Sequence, residues 1–344
     1  MVSASPGFIA AQAAIALVGL VHAAAAYFYF SKDRRAWRWT LAWLACTALC
    51  VLALPSRPWF ALGLFAAALG AWTWWWWQIR PSLTHQWVRE NARQAVARIV
   101  DDELMVHDLR NFDWRSTRDC VERWEERQYA LSGLEAVDLF VSTWGDPRVA
   151  HLIVSFVFRD RDPLAFSIET RRERSEGWSM LAGFMRSYEL IAIAADERDV
   201  IRVRTNHRRE DVRRYRLETT PQMRRSLIEQ YVLEMNDLAR RPRFYNTLFR
   251  NCTTEVLHIL RAAGRPVPPN WEIIASGLVP MYLHQLGLLE DKRPFAEVFA
   301  AAEIGPAARE AEDDPAFWQR IRTARETAPA AGTPALAAAT AATT

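Results

Sequence analysis

Cysteine is scarce in this chain of 344 residues, and the four cysteines are not spaced for a disulfide framework or a structural zinc site. Cys46 and Cys50 fall within an apolar stretch, so only Cys120 and Cys252 remain for a water-soluble part. The sequence leaves open whether these two pair with each other. Histidine and cysteine do not cluster at metal-ligand spacing either, and we expect neither a metal nor a cofactor.

A large excess of charge of one sign is also lacking. The formal net charge is +3, and the arginines are interleaved with acidic residues instead of clustered. Proteins that bind nucleic-acid backbones carry a concentrated basic surface. We therefore expect no nucleic-acid partner.

Charged residues are almost absent from three stretches near the N-terminus. Residues 8–30, 38–54 (apart from Arg38 itself) and 59–77 are apolar, and each approaches the length that crosses a bilayer. The first stretch is too long for the core of a signal peptide and has no basic residue before it. Residues 1–80 are thus predicted to be an anchor of three transmembrane helices, with the lipid bilayer as a partner.

Residues 84–290 differ in composition, being rich in arginine and acidic residues with periodic apolar positions. Alternating stretches typical of strands come before longer helical patterns. This order predicts a soluble α+β domain in which about five antiparallel strands pack on two helices. Residues 325–344 form an Ala/Thr-rich tail without a core-forming pattern, and we expect disorder there.

Two helices are predicted after the strands. One starts at Thr220-Pro221, and the next has Asn251 as its N-cap and Cys252 as its opening residue. A thiol at that position meets unpaired N–H groups and the positive end of the helix dipole, which favour the thiolate. Cys252 is therefore a candidate nucleophile. The alternative is a small buried residue that packs the start of the helix.

Residues 150–158 and 164–172 predict a β-hairpin. A turn centred near Arg161 would give it one apolar and one polar face, because side chains alternate along each strand. Residues 189–195 and 200–205 predict a second hairpin around the tight turn "DERD". In the first hairpin this register pairs His151 with Arg171, Ile153 with Glu169, and Ser155 with Ser167.

His151 is the histidine best placed to act as a base, because it starts a strand beside a carboxylate. Glu169 lies diagonal to it, within reach to fix the tautomer and orientation of the imidazole. The alternative is a surface ion pair of Glu169 with Arg171 or Arg172, which would contribute little.

Six motifs occur in order along the soluble part: "RNFDWR" (110–115), "VDLFVSTWG" (137–145), "AHLIVSFVF" (150–158), "FSIETRRE" (166–173), "GFMRSYELIAIAADERDVIRVRTN" (183–206) and "FYNTLFRNCTTEV" (244–256). Taken together they resemble one family, the Lnb-type N-terminal periplasmic domain of bacterial membrane proteins. The resemblance covers about residues 100–262 and implies a permuted papain-like (NlpC-like) thiol fold in which histidine precedes cysteine, here His151 and Cys252. The namesake activity of the family is N-acylation of bacterial lipoproteins.

The residues and the resemblance together predict a membrane-anchored thiol enzyme that transfers acyl groups on lipoproteins or lipids. Cys252 would be the nucleophile, His151 the base and Glu169 its support, with Asn251, Thr253 and Arg171 near the substrate or the oxyanion. Two alternatives stay open. The same fold also suits a cell-wall peptidase or amidase, and a domain without catalysis would be a membrane-binding module.

The three predicted spans make this a multi-pass protein, and the resemblance implies the bacterial inner membrane with the soluble domain in the periplasm. The basic segment "SKDRRAWR" at 31–38 argues for the opposite side, because positive loops prefer the cytoplasm. We give the resemblance more weight and predict the periplasm.

Overall fold

The computed structural model describes residues 6–30, 36–264, 267–270 and 275–323. The predicted tail, 325–344, lies outside these described residues. The chain forms two compact units, each built from segments distant in sequence. The first unit consists of Met1–Arg89, Thr170–Glu189 and Pro242–Thr247, and the second of Glu90–Glu169, Leu190–Arg241 and Leu248–Thr344.

The first unit begins with three helices, α1 (Pro6–Phe30), α2 (Ala36–Ala53) and α3 (Pro58–Gln78). Small residues let α1 and α2 approach closely, since a side chain at Gly19 would lie 2.2 Å from a Thr47 methyl group. Trp43 donates a hydrogen bond from its indole to the Gly19 carbonyl at 2.9 Å. Close packing through small residues is common between helices in membranes.

The prediction of three membrane spans is corrected to one. Among the described helices only α1 is long and apolar enough to cross a bilayer, and most of its apolar window is exposed. The apolar part of α2 is limited to Trp37–Ala53, or about 26 Å of helix against a hydrocarbon core of about 30 Å. In α3 the length suffices, but the helix is rich in tryptophan, whose indole N–H makes it less apolar than an aliphatic side chain.

The second unit is built on a mixed eight-stranded sheet with the order β1-β2-β9-β8-β7-β6-β10, in which β5 also pairs with β2. The prediction of a purely antiparallel sheet is wrong, because β2 and β9 run parallel where Arg110 pairs with Ala195. A separate two-stranded sheet joins β3 and β4. The strands are β1 (Val96–Val100), β2 (Glu103–Arg110), β3 (Asp113–Trp114), β4 (Cys120–Val121), β5 (Trp124–Ala130), β6 (Leu134–Thr143), β7 (Ala150–Phe158), β8 (Leu164–Arg171), β9 (Glu189–Asp196) and β10 (Asp211–Arg216).

The two long helices of the second unit are those that the sequence predicts. In the longer one Thr220 is the N-cap, Pro221 is the first residue, and Leu227 and Tyr231 are buried. The helix that opens at Cys252 packs against β7 and against the longer helix. The helices are α4 (Glu197–Val200), α5 (Pro221–Arg240), α6 (Cys252–Ala262), α7 (Val279–Gln285), α8 (Phe295–Ala301), α9 (Gly305–Glu310) and α10 (Phe317–Thr323).

Strands β7 and β8 form the predicted hairpin in a different register. Ile153 pairs with Ser167 and Ser155 with Ala165, so β8 is shifted by two residues from the prediction. A shift of two keeps every side chain on its predicted face, because the period of a strand is two. Alternation therefore determined the faces, while the turn, which contains Pro163, determined the register.

The predicted second hairpin is wrong. Residues after β9 form α4 and then a π-helical turn at Val203–His207 instead of a strand. Asp196 caps α4 by accepting from the backbone N–H two residues on, at 2.8 Å, and Glu197 and Asp199 lie in its first turn. Acidic residues at these positions are a helix-start signal that the neighbouring apolar alternation concealed.

An arginine from the last helix joins two buried carboxylates in the second unit. Arg322 of α10 donates to Glu197 at 2.7 and 2.8 Å and to Asp138 at 3.0 Å. Arg214 and Arg216 also donate to Asp138, at 3.0 and 2.6 Å. Burial alone would raise the pKa of Asp138, but the three guanidinium groups lower it to about 2. The second unit thus extends to helices well beyond residue 290.

Candidate active site

The start of α6 holds Cys252 in a capping box. Asn251 Oδ1 accepts from the backbone N–H groups of Thr253 and Thr254, both at 2.9 Å. Thr254 Oγ1 in turn accepts from the Asn251 N–H at 2.8 Å. These reciprocal bonds satisfy donors that a helix start leaves open. The sequence "NCTT" therefore fixes the thiol by local hydrogen bonding.

The thiol of Cys252 lies beside the imidazole of His151, near enough for each group to shift the pKa of the other. His151 lies at the start of β7, the strand on which α6 packs. The Leu152 N–H also helps to lower the pKa of the thiol, and the Thr253 hydroxyl lies 4.0 Å from the sulfur. Cys252 is 8% exposed, so these contacts take place largely away from water. A thiol and an imidazole in contact form a nucleophile and its base.

The far side of the His151 ring faces a carboxylate. Nε2 lies 2.7 Å from Ser167 Oγ, and that hydroxyl donates to Glu169 Oε1 at 2.8 Å. Glu169 Oε1 is itself 3.6 Å from Nε2. Because the serine donates to the carboxylate, we assign the Nε2 proton to the bond with Ser167. This assignment leaves Nδ1 for the thiol of Cys252.

A buried arginine supports Glu169. Arg204 Nη2 donates to Glu169 Oε1 at 3.0 Å, and its Nε lies 3.8 Å from Glu210 Oε2. Ser142 donates to Glu210 and pairs with His151 across β6 and β7. The polar face of the hairpin is therefore the interior of a charged network, not a surface in contact with water.

These contacts shift the pKa values of all three predicted catalytic residues. Burial would raise the pKa of the Cys252 thiol, but His151 outweighs burial, and the pKa is lowered. Burial would lower the pKa of His151, but Cys252 and Glu169 raise it. Burial would likewise raise the pKa of Glu169, yet His151 and Arg204 hold it well below its usual range. The three shifts all favour a thiolate–imidazolium pair beside an ionised carboxylate.

Arg171, predicted to lie near the substrate, belongs to the first unit. Its guanidinium lies over the Trp87 ring, 4.5 Å from the ring centroid. Burial lowers the pKa of Arg171 to about 10, although Glu189 opposes the shift. Of the six predicted site residues, the second unit contains the other five.

Cys120 lies in β4, and no disulfide links it to Cys252. Cys120 packs instead on the aromatic cluster of Phe112 and Trp114. Within the described residues, no group of three or more His, Cys, Asp or Glu side chains is placed to hold a metal ion. The thiol of Cys252 is thus available for the contacts described above.

Ser167, Arg204 and Glu210 were not predicted as part of the site. Ser167 was placed on the polar face, but the shifted register hid its position beside His151. Arg204 was assigned to a strand, and its helical placement follows from the acidic helix-start signal before it. No sequence pattern pointed to Glu210.

Comparisons with known proteins agree with the resemblance. Residues 121–277 match the family model described as the Lnb N-terminal periplasmic domain. This range contains His151, Glu169 and Cys252. Neither the curated proteins nor the solved structures gave a match. The family predicted from the motifs is confirmed by this match, which covers residues 121–277.

Proposed function

We propose that this protein is a membrane-anchored thiol acyltransferase whose second unit has a permuted papain-like arrangement. The observation that carries the proposal is the placement of the Cys252 thiol beside the His151 imidazole, with Ser167 and Glu169 behind the ring. A nucleophile, a base and a group that orients the base are the three parts that covalent acyl transfer uses.

In the first step the Cys252 thiolate forms a C–S bond with the carbonyl carbon of an acyl ester. The bond from that carbon to the leaving oxygen breaks, and the His151 imidazolium gives its proton to this oxygen. An amine then attacks the thioester, a C–N bond forms and the C–S bond breaks. His151 takes up the amine proton, so the thiolate–imidazolium pair is restored.

The developing oxyanion needs hydrogen-bond donors near the sulfur. Asn251 already engages the N–H groups of Thr253 and Thr254, so its role is to cap the helix. The Cys252 N–H at the same helix end is therefore the candidate donor. Asn251 and Thr253 act on the reaction by placing this N–H and the thiol.

The proposed substrates are an acyl lipid as donor and the amine of a lipidated protein as acceptor. A periplasmic-domain family and a candidate membrane span in α1 both suit a reaction at a lipid surface. A peptidase or amidase would use the same dyad on a cell-wall peptide. The two reactions differ in the group that becomes bound to Cys252, which is a fatty acyl chain in the first and a peptide or amino acid in the second.

The test is the intact mass of the protein purified from native membranes, before and after hydroxylamine, beside Cys252→Ala as control. Acyl transfer predicts a mass increase equal to a fatty acyl chain that is absent from the control and is removed by hydroxylamine. A peptide or amino-acid adduct on Cys252 would support the amidase instead. An unmodified Cys252 with the pKa of an ordinary thiol would indicate a non-catalytic membrane-binding module.

A further inference from the structure

A loop of the first unit presents three large apolar side chains to the outside. Trp178 is 51% exposed, Met180 43% and Leu181 59%. They lie within residues 177–184, which we call the docking loop. Scattered apolar residues on a surface are ordinary, but three within four positions form a patch. The thiol chemistry makes no use of this loop.

Hydrogen bonds hold the docking loop in this shape. The Tyr188 hydroxyl donates to the Gly177 carbonyl at 2.7 Å and accepts from the Ser179 N–H at 2.8 Å. Thr247 Oγ1 donates to the Met180 carbonyl at 3.0 Å. A side chain at Gly183 would lie 2.4 Å from this Thr247 hydroxyl. These hydrogen bonds therefore fix the backbone of the docking loop, while its three large apolar side chains remain exposed.

The docking loop also contacts the candidate membrane span. The turn Ala182–Phe184 packs against α1. Near the C-terminal end of α1, Tyr29 makes edge contacts with Trp75 and Trp76 of α3, with centroid distances of 5.4 and 5.9 Å. Tyrosine and tryptophan concentrate where a membrane helix enters the lipid headgroup layer.

An arginine next to the loop contacts the tryptophans at the C-terminal end of α3. Arg186 Nη1 donates to the Trp76 carbonyl at 2.8 Å, and its guanidinium lies 5.6 and 5.4 Å from the Trp76 and Trp77 ring centroids. An arginine among interfacial aromatics suits the level of the lipid phosphates, where its apolar stem and its charge are both accommodated. Aromatic, aliphatic and cationic groups thus occur together at one end of α1.

We propose that the docking loop inserts Trp178, Met180 and Leu181 into the interfacial layer of the bilayer that α1 crosses, with Arg186 at the phosphates. Insertion would stabilise the membrane-bound state by about 25 cal/mol for each Å² of apolar surface that lipid covers. The contact with α1 favours lipid over a protein partner, because a span fixes this end of the unit at the membrane. The proposal is independent of the proposed acyl transfer.

The first test uses the native chain in lipid nanodiscs and measures oxidation by hydroxyl radicals generated in the water. Trp178 is compared with Trp144 of the second unit, which is 39% exposed. We expect Trp178 to oxidise several-fold more slowly than Trp144, even though it is the more exposed tryptophan. Equal or faster oxidation of Trp178 would overturn the proposal.

The second test distinguishes lipid from a protein partner. Leu181→Cys is placed in a chain whose four native cysteines are replaced, labelled with an environment-sensitive fluorophore and reconstituted into phosphatidylcholine–phosphatidylglycerol vesicles. Val100→Cys, at a position 45% exposed in the second unit, is the matched control. Insertion predicts blue-shifted emission at position 181 that lipids with a nitroxide near the headgroup quench, and neither effect at position 100. A blue shift without quenching would indicate a second copy or another protein, and it would overturn the proposal.

Discussion

His151 and Glu169 face each other on adjacent strands, with Nε2 3.6 Å from Oε1 and the Ser167 hydroxyl between them. The serine accepts from the imidazole and donates to the carboxylate, so the ring is held in one tautomer. This relationship turns a strand-start histidine into an oriented base and leaves its other nitrogen for Cys252.

Cys252 is expected to react with iodoacetamide at lower pH than an ordinary thiol, whose pKa is about 8.5. Since His151 lowers the pKa of Cys252, the thiolate persists below that value and is lost as pH falls through the lowered pKa. The measured quantity is the pH at which alkylation of Cys252 is half-maximal, followed by peptide mass spectrometry. This pH is used because burial slows the absolute rate of alkylation. His151→Gln should move the half-maximal pH of Cys252 upward and leave that of Cys120 unchanged. If the half-maximal pH of Cys252 did not change in His151→Gln, His151 would not be the base that lowers the pKa of Cys252.

Glu169→Gln is expected to weaken the dyad without abolishing it. Loss of the carboxylate removes one cause of the raised pKa of His151, so the pKa of Cys252 should rise in turn. The half-maximal pH for alkylation of Cys252 should therefore move upward. The same alkylation profile measures the effect, and Glu135→Gln, at an exposed ion pair with Arg159, is the control. If the alkylation profile of Glu169→Gln were identical to the native one, Glu169 would have only a structural role.

Arg322→Met is expected to destabilise the second unit by about 3–5 kcal/mol, because it leaves Asp138 and Glu197 buried without their shared cation. Arg320→Met on the same helix removes a largely exposed arginine and should cost less than about 1 kcal/mol. Urea unfolding of the full chain in detergent, followed by tryptophan fluorescence, gives both values. Equal effects of the two variants would contradict the role of Arg322.

The native Asp138 network is expected to resist acid. Its folded pKa of about 2 lies below the unfolded value of about 3.9. The stabilisation from Asp138 is therefore complete above the unfolded pKa and is lost as pH falls through about 2. The free energy of unfolding of the native chain and of Asp138→Asn is measured at pH 6 and at the lowest pH where both fold. The difference between the two proteins is then compared at the two pH values. A difference that does not shrink with acid would contradict the low pKa.

Asn251→Ala is expected to cost about 1 kcal/mol and to slow alkylation of Cys252, because the cap that places the thiol is lost. Asn251→Asp keeps an acceptor for the same two N–H groups and should retain most of both properties. Urea unfolding and alkylation at neutral pH measure the two effects. If Asn251→Asp lost as much stability and alkylation rate as Asn251→Ala, the cap would not be what places the thiol.

The second unit is expected to lie on the periplasmic side, as the family suggests. An impermeant thiol reagent applied to intact spheroplasts of a variant lacking Cys46 and Cys50 should label Cys120 before lysis. Labelling only after lysis would place the unit in the cytoplasm and exclude a periplasmic lipoprotein substrate.

Features that depend on a few neighbouring residues could be predicted without the structure. The N-cap at Asn251, the opening position of Cys252 and the two faces of the β7–β8 hairpin were all predicted, because capping and alternation act over one turn or one strand. The ordered motifs also identified the family.

Contacts between groups distant in sequence could not be predicted, because they depend on the fold. Arg204 reaches Glu169 across 35 residues and Arg322 reaches Asp138 across 184, and no local pattern encodes either pairing. The register that puts Ser167 beside His151 depends on the turn, and the helix that carries Arg204 replaced a predicted strand. Buried charges need partners wherever the fold can supply them, and packing of the whole chain selects those partners.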